Sequence, residues 1–65
     1  MTLEERFAKF NIKIKENNHF RPIYEILKDV SDIWYQLSEK EQTELGKAIL
    51  GHYYNKSSFE KYYII

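Results

Sequence analysis

The segment from Pro22 to Leu37 constrains the fold more than any other stretch of this 65-residue chain. Its apolar residues recur three or four positions apart or stand in adjacent pairs, which is the spacing of one helical face and not the alternation of a strand. Pro22 suits the first helical position, where no N–H is needed. A helix of about four turns is unstable alone, so the other segments must cover its stripe. The stripe consists of Ile23, Ile26, Leu27, Val30, Ile33, Trp34 and Leu37.

Length and composition indicate one domain, residues 1–65. The chain has no cysteine, which excludes a disulfide framework and a thiolate metal site. No apolar run approaches the ~18 residues of a membrane span. Ten basic residues balance ten acidic ones, and this balance disfavours a nucleic-acid binder that works by neutralising phosphates.

The first segment, Thr2–Phe10, reads as a short helix. Thr2 and Glu5 have the spacing of a capping box, in which each side chain accepts a hydrogen bond from the other residue's backbone N–H. We expect the aromatic face of this helix to dock on the central helix. That face is formed by Leu3, Phe7 and Phe10.

The next segment, residues 12–21, changes period. Ile12 and Ile14 alternate with lysines, which is the pattern of a half-buried strand. Asn17 and Asn18 tolerate positive φ and suit a turn. The segment therefore predicts a short β-hairpin, with a plain loop as the alternative.

Ser38 and Glu41 form a second capping box, immediately after the central helix. It predicts a helix over Glu39–Leu50, ended by Gly51, since a helix end favours a residue with positive φ. Ser57 with Glu60 offers a third capping box and a last short helix. The fold class is accordingly mainly α: a small compact bundle of three to four short helices, with room for the hairpin at 12–21.

Nothing in the sequence predicts catalysis, a cofactor or a metal ion. His19 and His52 have no neighbouring ligands at metal-binding spacing. Asp29 and Asp32 could pair as acid and base, but a solvated polar face explains them better. No nucleophile motif or glycine-rich phosphate loop is present. We therefore expect a protein that is not an enzyme.

The aromatic C-terminus is the predicted interaction surface. Trp34 belongs to the apolar stripe and is expected in the core, whereas Tyr35 flanks it and is available for contacts. The tail could act as a lid over the core, stack on single-stranded nucleic acid or bind protein, because Tyr is favoured at interfaces. The balanced charge disfavours nucleic acid. Self-association is the first expectation for this surface, and capture of another protein is the second. The candidate residues are Tyr35, Tyr53, Tyr54, Phe59, Tyr62, Tyr63, Ile64 and Ile65.

An ordered series of short motifs over residues 8–65 resembles a segment of tail tape measure proteins from siphophages and prophages of Gram-positive bacteria. The series runs from an I-x-I strand through F-R-P, L-x-D-x-x-D-x-W, L-S-x-x-E-Q and an A-x-x-G helix end to a last Phe. These motifs fall on Ile12, Ile14, Phe20, Arg21, Pro22, Leu27, Asp29, Asp32, Trp34, Leu37, Ser38, Glu41, Gln42, Ala48, Gly51 and Phe59.

The resemblance implies a structural or protein-interaction module of phage tail origin, located in the virion tail or in the cytoplasm of the bacterial host. Tape measure proteins set tail length, but they are very long, and one helix of 65 residues would span only ~100 Å. A ruler function is therefore not carried over to this chain. The alternative is a small phage-encoded protein that binds and inhibits a host protein, such as a defence nuclease.

Overall fold

Four α-helices and one two-stranded hairpin make up the part of the chain that the computed structural model describes, residues 2–64. The predicted fold class, a mainly helical bundle with a small hairpin, is confirmed. The elements are α1 (Leu3–Ala8), β1 (Lys15–Glu16), β2 (His19–Phe20), α2 (Ile23–Trp34), α3 (Glu39–Leu50), one 3₁₀ turn (Gly51–Tyr53) and α4 (Lys56–Tyr63).

Helix α1 carries the predicted capping box: the Thr2 hydroxyl accepts from the Glu5 N–H at 3.1 Å, and the Glu5 carboxylate accepts from the Thr2 N–H at 2.9 Å. The helix ends at Ala8 and not at Phe10, because Asn11 adopts a positive φ of 62° that a helix cannot continue. Only Phe7 of the predicted apolar face is fully buried.

A salt bridge joins α1 to α3. The Lys9 Nζ donates to the Glu44 carboxylate at 2.8 Å, and this hydrogen bond lowers the pKa of Glu44. Because the pKa of Glu44 is lower in the folded protein, its ionised carboxylate stabilises the fold at pH values above the ordinary glutamate pKa. This stabilisation is lost as the pH falls through the pKa of the folded state.

The hairpin predicted for residues 12–21 is present, and the plain-loop alternative is wrong. Asn17 and Asn18 form a two-residue turn with φ of 53° and 66°, between the paired residues Glu16 and His19. Positive φ at both turn residues matches the right-handed twist of the flanking strands. Pairing is shorter than predicted, because Ile12 and Ile14 lie before the ladder; both side chains are buried in the core.

Arg21 ties the hairpin to α2. Its guanidinium Nη1 donates to the Lys13 carbonyl at 2.7 Å and to the Asp29 carboxylate at 2.9 Å. The hydrogen bond to Asp29 raises the pKa of Arg21 further. Asp29 stays on the solvent-accessible polar side of α2, with its side chain 40% exposed, and it also anchors the hairpin segment to the central helix.

Helix α2 is shorter than the predicted Pro22–Leu37. Pro22 is the N-cap, with ψ of 138°, and not the first helical residue. At the other end the helix stops at Trp34, because Ser38 must be extended (φ −69°, ψ 164°) to cap α3. Four residues, 35–38, separate the two helices, so the predicted break between the central helix and α3 is confirmed.

The capping box at the start of α3 is also confirmed: the Ser38 Oγ accepts from the Glu41 N–H at 3.2 Å, and the Glu41 Oε1 accepts from the Ser38 N–H at 2.9 Å. Gly51 ends α3 at φ 63° and ψ −138°, a conformation open essentially to glycine alone.

Loss of the Ser38 cap should destabilise the fold. We expect Ser38→Ala to lower the free energy of unfolding by ~1 kcal/mol, because one N–H at the start of α3 loses its acceptor. Urea denaturation followed by circular dichroism measures this loss. Ser57→Ala is the control, since Ser57 is exposed and caps nothing. Equal effects of the two substitutions would contradict the role of Ser38.

The third predicted capping box, Ser57 with Glu60, is wrong. Helix α4 begins two residues earlier, at Lys56, and its cap is Asn55, whose Oδ1 accepts from the Ser58 N–H at 3.1 Å. Asn is at least as good an N-cap as Ser, and the extended backbone of Asn55 provides the required geometry.

The core lies where α2 meets α3, α4 and the segment before the hairpin. Trp34 is fully buried, as predicted; its ring lies 4.9 Å from that of Phe59, and its indole N–H donates to Glu60 at 2.7 Å. The buried Gln42 amide donates to the Trp34 carbonyl at 2.8 Å. The apolar core consists of Phe7, Ile12, Ile14, Ile26, Val30, Trp34, Leu45 and Phe59.

Gly46 gives the Tyr54 ring its place against α3. A Cβ at position 46 would lie 2.8 Å from the Tyr54 Cζ and closer still to two other ring atoms. Alanine in a helix is ordinarily more stable than glycine by about 1 kcal/mol. Here a Cβ must displace the aromatic ring, and overpacking of this kind typically costs about 1–3 kcal/mol.

We therefore expect Gly46→Ala to lower the free energy of unfolding despite its better helix propensity. In a Tyr54→Ala background the same substitution should stabilise the protein, because the clash is gone. Urea denaturation of the four proteins in this double-mutant cycle gives the coupling. Stabilisation by Gly46→Ala in the wild-type background would contradict the packing of Tyr54.

Candidate protein-binding surface

An apolar groove opens on one face of the molecule. Its walls are Leu3 of α1, Phe20 of β2 and Ile23 of α2, which are 45, 67 and 61% exposed. The groove has a volume of about 300 Å³. We call these three residues, with the groove between them, the groove face. The groove is further lined by Phe7, Ile14, Arg21, Ile26, Ala48 and Ile49.

Leu3 and Ile23 are exposed because each is the first residue of its helix. Leu3 is the first residue of α1, one turn before the buried Phe7. Ile23 begins α2 and stands at the end of the apolar stripe, one turn before the buried Ile26. Three segments thus bring large apolar side chains to one place without covering them.

Phe20 projects from the hairpin beside Ile23. The Lys15 Nζ lies 5.0 Å from the centre of the Phe20 ring, a cation–π contact that an exposed site supports only weakly. This ring is 67% exposed, so it presents most of its area to solvent.

The groove face has a rim of both charges. Glu4 and Lys15 line a second depression that shares Leu3, Ile14 and Phe20 with the groove. On the side of α2, the Arg21 Nε lies 3.7 Å from the Glu25 carboxylate. An apolar centre with a polar rim is the usual anatomy of a protein–protein interface.

The C-terminal aromatic residues divide between the core and the exposed surface. Phe59 is fully buried, so its assignment to an interaction surface is wrong. The structure supports the lid interpretation for Phe59, Tyr54 and Ile64, which pack in or against the core. Tyr35, Tyr53 and Tyr62 are each more than 70% exposed, and Tyr63 is 37% exposed. Ile65 lies outside the described residues.

Phe59 is buried because α4 folds back beside the C-terminal end of α2. Its ring centre lies 4.9 Å from that of Trp34, 5.6 Å from that of Tyr54 and 5.3 Å from that of Tyr63. Phe59, Tyr62 and Tyr63 are spaced three and four positions apart, and this spacing does not indicate which of the three rings faces the core.

The Tyr54 hydroxyl is buried without a hydrogen-bond partner among the described residues. Burial raises the pKa of Tyr54, and the nearby negative charge of Glu60 raises it further by a smaller amount. Stability from the neutral phenol is complete below the ordinary tyrosine pKa and is lost as the pH rises through the folded value.

The two histidines are surface residues. The His52 ring lies against Tyr53 with ring centres 4.2 Å apart and a tilt of 34°, and His19 is an exposed hairpin residue. Across residues 2–64, no three His, Asp or Glu side chains are grouped so as to hold a metal ion. Over the same residues no helix has the length and apolar character needed to cross a membrane.

Sequence reasoning missed the groove face. The available signals were Ile23, at the start of the apolar stripe, and Phe20, an apolar residue in the predicted hairpin. Their proximity to Leu3 depends on how α1 and the hairpin pack, which residue spacing does not specify. No family model, curated protein or solved structure matches this chain.

Proposed function

We propose that this chain is a non-enzymatic protein-interaction module of phage or prophage tail origin that binds protein through its groove face. The observation that carries the proposal is the exposure of Leu3, Phe20 and Ile23 around one groove. With ~200 Å² for each large side chain, their exposed parts amount to roughly 350 Å². Apolar patches of this size on small proteins are often functional.

The phage tail origin rests on the sequence resemblance. Several residues that carry the resemblance have structural roles in this chain: Asp29 holds Arg21, Trp34 fills the core, Ser38 caps α3 and Gly51 ends it. These motifs thus encode a folded unit. That role fits a structural module, which works either in the virion tail or in the host cytoplasm.

Site-specific cross-linking tests this proposal. A photo-crosslinking phenylalanine analogue replaces Ile23 in phage-producing bacteria, and the cross-linked proteins are identified by mass spectrometry. The control carries the same analogue in place of Tyr53, which is exposed and does not line the groove.

We expect phage tail proteins to be cross-linked at position 23 and not at position 53. A host enzyme cross-linked at position 23, and inhibited by the purified chain, would favour the alternative function of a phage-encoded inhibitor. The absence of any protein cross-link at position 23 would overturn the proposal.

A further inference from the structure

The groove face has the features of a surface that pairs with itself. Phe20 and Ile23 project next to the groove and are 67 and 61% exposed. A two-fold axis through this face would place the projecting side chains of one copy against the groove of the other. Such an isologous contact, in which the same patch is used twice, is the commonest symmetry of soluble oligomers.

The charges around the groove favour a second copy of the chain. The rim holds the opposite charges Glu4 and Lys15 beside the shared wall residues Leu3 and Phe20. A two-fold axis can therefore bring the acidic group of one copy to the basic group of the other. The formal net charge of zero removes the long-range repulsion that keeps highly charged proteins monomeric.

The exposed area also fits a dimer. Apolar atoms make up about 56–65% of a protein interface, so roughly 350 Å² of apolar wall corresponds to about 600 Å² for each copy. Two such faces bury about 1,200 Å², which is the lower end of the range for specific complexes. Weak and transient complexes are found at this end of the range.

We propose that two copies of this chain associate through their groove faces as a symmetric dimer. This inference rests on the proposed function, because it names the occupant of the same surface. It also moves self-association away from the C-terminal aromatic residues, where the sequence placed it.

Sedimentation equilibrium of the full chain tests the inference. Ile23→Glu places a charge in the apolar contact, and we expect the dimer dissociation constant to rise by on the order of tenfold or more, since an unpaired charge must be desolvated. An acidic residue in the first turn of a helix is favourable, so the fold should be retained, as checked by circular dichroism. Tyr53→Glu is the matched control and should leave the constant unchanged.

A mixing experiment tests the symmetry. Ile23→Glu and Ile23→Lys should each associate more weakly than the wild-type chain, and an equimolar mixture should associate more tightly than either variant alone, because an isologous face meets itself and the opposite charges then attract. Phe20→Lys gives an independent disruption from the hairpin.

A wild-type chain that stays monomeric into the millimolar range overturns the dimer, while cross-linking of other proteins at position 23 can still support the proposed function. A dimer that Tyr53→Glu disrupts and Ile23→Glu does not would also overturn it. If neither self-association nor any cross-link at position 23 is found, both proposals fail.

Discussion

Trp34→Ala is expected to leave most of the chain unfolded at room temperature. The side chain is fully buried and is among the largest in the core. Truncation of a buried Trp to Ala typically costs ~3–5 kcal/mol. The substitution also removes the indole N–H that donates to the part-buried Glu60 carboxylate at 2.7 Å. The stability of a small domain lies near the lower end of the usual ~5–15 kcal/mol, so little would remain.

Thermal and urea denaturation followed by circular dichroism measure this effect. Trp34→Phe is the control, because it keeps an aromatic ring against Phe59 and removes the N–H donor. We expect a smaller loss of about 1–3 kcal/mol, part of it from the unpaired carboxylate. Wild-type melting of Trp34→Ala would contradict the burial of this residue.

Phe59→Ala is expected to destabilise the fold nearly as much. Phe59 contacts three rings, those of Trp34, Tyr54 and Tyr63, at centroid distances between 4.9 and 5.6 Å. Removal of the ring opens a cavity and breaks these aromatic pairs, at a typical cost of ~3–5 kcal/mol. Helix α4, which has only eight residues, should detach from the core because a helix of this length is not stable alone.

Tyr62→Ala is the matched control on the same helix. Tyr62 is 71% exposed, and its ring contacts the Lys61 ammonium at 5.4 Å. Exposed substitutions of this kind usually change stability by no more than ~0.5 kcal/mol. Urea denaturation of the two variants should separate them clearly. Equal losses would contradict the division of α4 into a buried and an exposed side.

The helices and caps followed from the sequence because they depend on local spacing. The stripe from Ile23 to Trp34, the capping boxes at Thr2 and Ser38 and the turn at Asn17 involve residues within a few positions of one another. Each of these signals acts within one or two helical turns. The third capping box, Ser57 with Glu60, was wrong because Asn55 provides a competing cap two residues earlier.

The errors about the candidate site arose where the outcome depends on distant residues. The ion pair of Asp29 with Arg21 was missed because Arg21 follows the hairpin, eight residues earlier in the chain. Phe59 looked available for binding because nothing local showed that α4 returns to Trp34. The groove face was missed for the same reason: Leu3 meets Phe20 and Ile23 only after α1 and the hairpin pack.

We propose that this chain associates through the groove face and not through its C-terminal tyrosines. Backbone amide chemical shifts, recorded from micromolar to millimolar protein, test this claim residue by residue. We predict concentration-dependent shifts at Leu3, Phe20, Ile23 and Ile49, with Tyr53 and Tyr62 unchanged. Shifts confined to Tyr53 and Tyr62, or no shifts at any concentration, would contradict it.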